Sequence, residues 1–187
     1  MKIQFNLPTN LTLLRIALIP LLTVVFYLPW QYANLTCALI FLIAGLTDWL
    51  DGYLARKMAQ ETPFGAFLDP VADKLMVAIV LVLIVQQQAD PYLAIPAAII
   101  IGREITIASL REWMAEIGQR AKVKVSQMGK WKTTAQMLSI TLLLYHEDIA
   151  GMPIALSGYV LLYIAAALTL WSMVNYLRAA LTAMAEG

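Results

Sequence analysis

The chain has 187 residues, of which 61% are hydrophobic and only 13% charged, and its mean hydropathy is +0.73. Soluble domains carry roughly 25% charged residues, so this composition excludes an ordinary soluble domain and indicates an integral membrane protein. The formal charge of +1 says little by itself, no nucleic-acid partner is expected, and the single cysteine, Cys37, excludes an internal disulfide.

Met1 to Thr9 is a short N-terminal segment whose Phe5, Leu7 and Pro8 suit the membrane interface. Polar punctuation then divides the apolar stretches into six helices over roughly 10–29, 33–58, 63–86, 92–117, 126–145 and 153–179. The turns are "YLPWQY", "KMAQET", "QQQADPY", "EIGQRAK" and "YHEDIAGMP". Thr62-Pro63 reads as a helix start, with proline in the first turn. No cleavable leader is expected, because the first apolar run lacks a small-residue cleavage site. The fold expected is an all-α, six-transmembrane-helix bundle forming one domain over residues 1–187. The thirteen basic residues fall in the first segment, in the second and fourth turns, at helix ends facing those turns, or at the C-terminus. By the positive-inside rule, both termini are cytoplasmic. His146, the only histidine, falls in an outer turn and reads as solvated.

The charged residues inside the helices have a depth. At a rise of about 1.5 Å per residue, Asp48 lies roughly 22 Å and Asp73 roughly 18 Å from the outer surface. Arg15 and Lys132 come out near ~21 Å, and Arg103 near ~15 Å, by the same rise. The hydrocarbon core is about 30 Å thick, so these groups share one level below the cytoplasmic surface. Charges at such depth face a watery cavity or one another and mark function. Long cations such as Lys57, Lys74 and Arg178 suit snorkelling, but aspartates are too short for it.

Asp48, Asp51, Gly52 and Ala55 fall within about a 100° arc of the second helix. Gly65, Asp69 and Asp73 recur at spacings of four on the third. The short turn between these helices makes them antiparallel neighbours whose stripes can meet. Four gathered carboxylates repel one another unless they hold cations, and oxygen-only ligands suit Mg²⁺ or Mn²⁺. Asp69 precedes Pro70, which disfavours helical geometry there, so an N-cap role for Asp69 stays open.

Asp48-x2-Asp51-Gly52-x2-Ala55-Arg56-x8-Gly65-x3-Asp69-x3-Asp73 matches the signature of the CDP-alcohol phosphatidyltransferase family at each fixed position. The stretches "LPTNLTLLRIALIP", "GAFLDPVADKLMVA", "REITIASLREWMAEIG" and "GKWKTTAQM" are similar to the branch of that family that makes phosphatidylglycerophosphate, and the likeness covers nearly the whole chain. The resemblance implies a homodimer in the cell inner membrane, with its active site opening to the cytoplasm. Its substrates would be CDP-diacylglycerol and sn-glycerol 3-phosphate. It also implies that Asp48, Asp51, Asp69 and Asp73 hold two divalent ions, Mg²⁺ or Mn²⁺, with Asp73 as general base. Gly52 and Ala55 would pack against the cytidine nucleotide, Arg56 and Gly65 would complete that pocket, and Asn10 and Thr12 would contact the nucleotide.

The acceptor's own phosphate calls for cations. Arg103 and Arg111 on the fourth helix, and Lys130 and Lys132 near the start of the fifth, are the candidates. Arginine grips phosphate bidentately and lysine acts as a point charge. Lys130 and Lys132 point to opposite sides if both are helical, and Glu104 can tie up a neighbouring arginine. Two rivals are a superfamily member using another acceptor (inositol phosphate, serine or choline) and a divalent-cation transporter. Against the transporter, the outer half of each helix lacks an acidic residue to continue a path.

Overall fold

A computed structural model describes residues 6–58, 62–118, 128–149 and 151–185; the side chains of Trp49 and of residues 51–58, 128–131 and 183–185 fall outside that description. The described residues form six helices: α1 (Leu7–Tyr27), α2 (Ala33–Met58), α3 (Pro63–Gln88), α4 (Pro91–Glu116), α5 (Met128–Tyr145) and α6 (Ile154–Ala185).

Three of them start in the same way. Asn6, Thr62 and Asp90 each turn a side-chain oxygen onto a backbone N–H of the first turn, and a proline follows at the first helical position (Pro63, Pro91) or the second (Pro8). The cap satisfies an orphan donor, and proline there forfeits no helical hydrogen bond. The Thr62 hydroxyl accepts from Gly65 N–H at 3.0 Å, as the sequence led one to expect.

Two boundaries differ from the sequence-based reading by three residues or more. α1 starts at Leu7 rather than near residue 10, because Asn6 is the cap and Asn10 N–H already bonds to Asn6 O at 2.9 Å. α6 continues to Ala185 rather than stopping near 179. The "AALTAMA" that follows Arg178 consists mostly of strong helix formers and has no stop signal.

Among the described residues, three helices are long and apolar enough to cross a membrane: α1, α4 and α6 over Ile154–Thr182. α2 is apolar over Ala33–Asp48 and turns polar beyond it. Large apolar side chains such as Leu21, Leu42, Val82, Ile95, Ile105, Val160 and Trp171 are exposed on the outside of the bundle, as a lipid-facing surface requires. The interior is packed by Leu22, Phe41, Leu81, Ile84, Leu93, Ile100, Ile140 and Leu162.

α1 packs extensively on both α2 and α3, whereas α2 and α3 touch each other only slightly. α5 pairs with α6, and α4 also packs on α6. The α5–α6 approach is close at Gly158: a Cβ there would lie 2.8 Å from Leu143 Cγ. Ser139 Oγ donates to Gly158 O at 2.7 Å across the same contact.

Candidate active site

The described aspartates of α2 and α3 are bridged by side chains of α1, and their own helices touch only slightly. Arg15 on α1 is 1% exposed and donates from Nη1 to Asp48 Oδ1 at 2.6 Å. One turn earlier, fully buried Thr12 donates to Asp69 Oδ1 at 2.5 Å. α1 can come this close to α3 because of Gly65, where a Cβ would sit 3.1 Å from Thr62 Oγ1 and 3.2 Å from Thr9 Oγ1. Those two hydroxyls lie 3.3 Å apart. Asp69 lies inside α3 with Pro70 following it in the same helix, so the cap is Thr62 and the N-cap alternative for Asp69 is set aside. Pro70 removes one interior hydrogen bond, on an exposed side of the helix. One turn further, Asp73 is within electrostatic reach of Asp48, Arg15 and Glu104.

The cations gather beside this cluster. Glu104 on α4 accepts on one oxygen from both Arg103 Nη1 at 2.8 Å and Lys132 Nζ at 2.6 Å. Arg103 also donates from Nη2 to Ser172 Oγ on α6 at 3.2 Å. A cavity of about 130 Å³ is lined by Asp73, Lys74, Arg103, Glu104, Lys132 and Gln136, among others. The predicted catalytic aspartate and two of the predicted acceptor cations therefore border one space. Arg111 does not join them. It is exposed, donates to Tyr176 Oη at 3.4 Å, and borders a separate groove of about 930 Å³ between α3 and α4. Both Arg103 and Arg111 lie over the Tyr176 ring, at 5.7 and 5.5 Å from its centroid.

Asn10 is exposed in the first turns of α1. Asp51, Gly52, Ala55 and Arg56 lie on α2, and Lys130 on α5, but their side chains are outside the described set.

The family profile of the CDP-alcohol phosphatidyltransferases matches residues 5–171. The chain belongs to the CDP-alcohol phosphatidyltransferase family. It is 57% identical over 177 residues to the CDP-diacylglycerol–glycerol-3-phosphate 3-phosphatidyltransferase of Haemophilus influenzae, covering 95% of this chain and 94% of the relative. The enzyme of that name from Yersinia enterocolitica is likewise 57% identical over 177 residues, covering 95% and 96%. One from Yersinia pestis is 54% identical over 183 residues, covering 98% and 99%. Membership of this phosphatidyltransferase family removes the motive for a transporter.

The donor set of this phosphatidyltransferase fits a hard divalent cation. Among the described residues, no three His, Cys, Asp or Glu side chains are grouped so as to hold a metal ion, and the Asp51 side chain lies outside that set. Mg²⁺ usually takes one or two carboxylates and leaves its other positions to water and substrate phosphates. Asp48, Asp69 and Asp73 offer oxygen ligands of that kind, with Asp48 remaining 44% exposed on its side chain. Sequence reasoning missed Gln136 and Tyr176. Gln136 follows Lys132 by four residues, which places both on one face of α5; Tyr176 follows Ser172 by four on α6. That spacing was the available signal.

Proposed function

We propose that the chain transfers the phosphatidyl group of CDP-diacylglycerol to sn-glycerol 3-phosphate, releasing CMP, in a metal-dependent reaction of phospholipid biosynthesis. The supporting observation is that Asp73, Arg103 and Lys132, from three helices, border one cavity beside the Arg15–Asp48 and Thr12–Asp69 pairs. The relatives' shared name supports the choice of donor and acceptor.

In the reaction, the acceptor's primary hydroxyl attacks the phosphorus that carries the diacylglycerol. A new P–O bond forms, the pyrophosphate bridge breaks, and the bridging oxygen leaves with CMP. Asp73 takes the hydroxyl proton as attack proceeds. Asp48, Asp51, Asp69 and Asp73 would hold two ions, Mg²⁺ or Mn²⁺, whose charge neutralises the pyrophosphate when bound. Thr12 fixes the orientation of the Asp69 carboxylate, and Arg15 fixes that of Asp48. Arg103 and Lys132 face the acceptor's phosphate, and Glu104 holds these two like charges together before substrate arrives. Phosphoryl-type transfer requires positioning and charge neutralisation above all, and these side chains provide both. The acidic stripe of α2 serves the nucleotide, with Gly52 and Ala55 leaving room for it and Arg56 beside it.

The enzyme works as a homodimer in the cell inner membrane, with six spans, both termini and the site on the cytoplasmic side. A site recessed below that surface meets the pyrophosphate while the acyl chains stay in lipid. The test gives purified protein CDP-diacylglycerol, Mg²⁺ or Mn²⁺, and a panel of labelled acceptors: glycerol 3-phosphate, inositol phosphate, serine and choline. CMP release with glycerol 3-phosphate alone is expected. Faster release with another acceptor would reassign the substrate, and release undiminished by chelator would remove the metals.

A further inference from the structure

The cavity between α3, α4 and α5 contains an amide that neither the fold nor the ion pairs use. Gln136 is 6% exposed, lines the cavity of about 130 Å³, and its Oε1 has no hydrogen-bond partner among the described residues. Arg103 Nε is also buried without a partner among them, and Arg103 lines the same cavity. Buried polar groups are normally hydrogen-bonded, and leaving one unmatched is costly. Here the two side chains that carry this acceptor and this donor line a single space. That space exceeds the roughly 10–15 Å³ that one water needs, so it admits a small polar solute.

The solute that satisfies both atoms carries hydrogen-bond acceptors and a donor. Phosphate oxygens match the guanidinium, beside which Lys132 adds a second positive charge. A hydroxyl matches the amide and does so in either amide orientation, because it both donates and accepts. Taking glycerol 3-phosphate as acceptor, on the reading above, the primary hydroxyl is at Asp73 and the phosphate at Arg103 and Lys132. The secondary hydroxyl lies between the two ends of the molecule and is the group left over. We propose that the Gln136 side-chain amide reads this C2 hydroxyl and makes the enzyme select a glycerol-type phosphate over a simple hydroxyalkyl phosphate. A site built to hydrogen-bond a substrate hydroxyl rejects the analogue that lacks it, because the site's own polar group is then left stranded.

The experiment compares glycerol 3-phosphate with 3-hydroxypropyl phosphate, which keeps the phosphate and the primary hydroxyl and lacks only the C2 hydroxyl. CMP release is followed with CDP-diacylglycerol in mixed micelles, for the unmodified enzyme, Gln136→Met and Gln136→Ala. The unmodified enzyme should favour glycerol 3-phosphate by about 100-fold in kcat/KM, the size of effect expected when one buried polar group is left stranded. In Gln136→Met, which keeps the volume and loses the amide, the preference should fall below about tenfold through loss on glycerol 3-phosphate. KM for CDP-diacylglycerol should not change. If the methionine variant does not fold, the alanine variant and the unmodified enzyme still decide. Equal use of the two acceptors by the unmodified enzyme overturns the proposal, as does an undiminished preference in either folded variant. Normal turnover of glycerol 3-phosphate with no discrimination at C2 would remove only the role of Gln136. No CMP release with glycerol 3-phosphate would remove the acceptor assignment, and the role of Gln136 with it.

Discussion

At the residue scale, the site divides its charges by helix. α2 and α3 supply carboxylates, α1 supplies the groups that hold them, and α4 and α5 supply cations tied by Glu104. Asp73→Asn should lower CMP release by roughly 10²–10⁴-fold, the usual worth of a general base, while the protein still elutes as a folded species. Near-normal turnover by that variant would remove Asp73 from proton transfer. The two arginines of α4 should separate. Arg103 borders the cavity with Asp73, whereas Arg111 lies in the outer groove against Tyr176. A charged hydrogen bond to phosphate contributes about 1.5–3 kcal/mol, or roughly 10–100-fold in affinity. Arg103→Gln should therefore raise KM for glycerol 3-phosphate by about that factor. Arg111→Gln should change it less than about threefold, because its guanidinium is exposed and its charge is screened by solvent. Equal effects would place both arginines on the acceptor phosphate, as the sequence alone suggested.

At the element scale, the sequence was most readable where local chemistry decides and least where packing decides. Thr62-Pro63 announced the start of α3 because capping and proline geometry act within one turn. Helical periodicity put the aspartates on shared faces, and the depth count put Arg15 and Lys132 at their level. It did not reveal that α1 stands between α2 and α3, because a short turn fixes only sequence neighbours and leaves open which third helix fills the angle between them. The partners of Arg15 and Thr12 were hidden for the same reason. Gly158 is another long-range feature: only the facing Leu143 explains it. In lipid, close van der Waals packing at small residues holds helices together. Gly158→Leu should lower stability by about 1–3 kcal/mol through overpacking of α5 against α6, read as faster loss of monodisperse protein on heating in detergent. An unchanged melting profile would mean that α5 and α6 can part without cost. Ala89 ends α3 with φ 47° and ψ 35°, a left-handed conformation that favours glycine. The turn is otherwise well held: Tyr159 Oη donates to Gln88 Oε1 at 2.6 Å and to Asp90 Oδ2 at 3.0 Å. Ala89→Gly should raise stability by about 1 kcal/mol by relieving the Cβ clash, with no change in kcat; a lower melting temperature would show that chain entropy outweighs that relief.

At the scale of the whole molecule, the two ends of the bundle differ in chemistry. The ends joining α1 to α2, α3 to α4 and α5 to α6 present Asp90, His146, Glu147 and Asp148, with no lysine or arginine in those turns. Their polar groups pair with one another: Tyr27 Oη donates to Gln86 at 3.0 Å, and Asn34 to Glu147 at 3.3 Å. The other end carries Arg111 and Lys74. Basic ends stay on the cytoplasmic side during insertion, and a charged solute such as glycerol 3-phosphate does not cross the apolar core to reach a site on the far side. Both considerations support the proposed orientation. Single cysteines test it. Cys37 is 1% exposed and should not react with a bulky, membrane-impermeant maleimide. Asp148 and Glu116 are both exposed, one at each end. In intact cells whose outer barrier has been opened, Asp148→Cys should label within minutes. Glu116→Cys should stay unlabelled until the membrane is broken. The reverse pattern would invert the topology and put the carboxylate cluster on the outer side, away from a cytoplasmic supply of acceptor. Labelling of both variants in intact cells would mean that the chain does not seal the bilayer as a six-helix span, and the recessed-site account would fall with it.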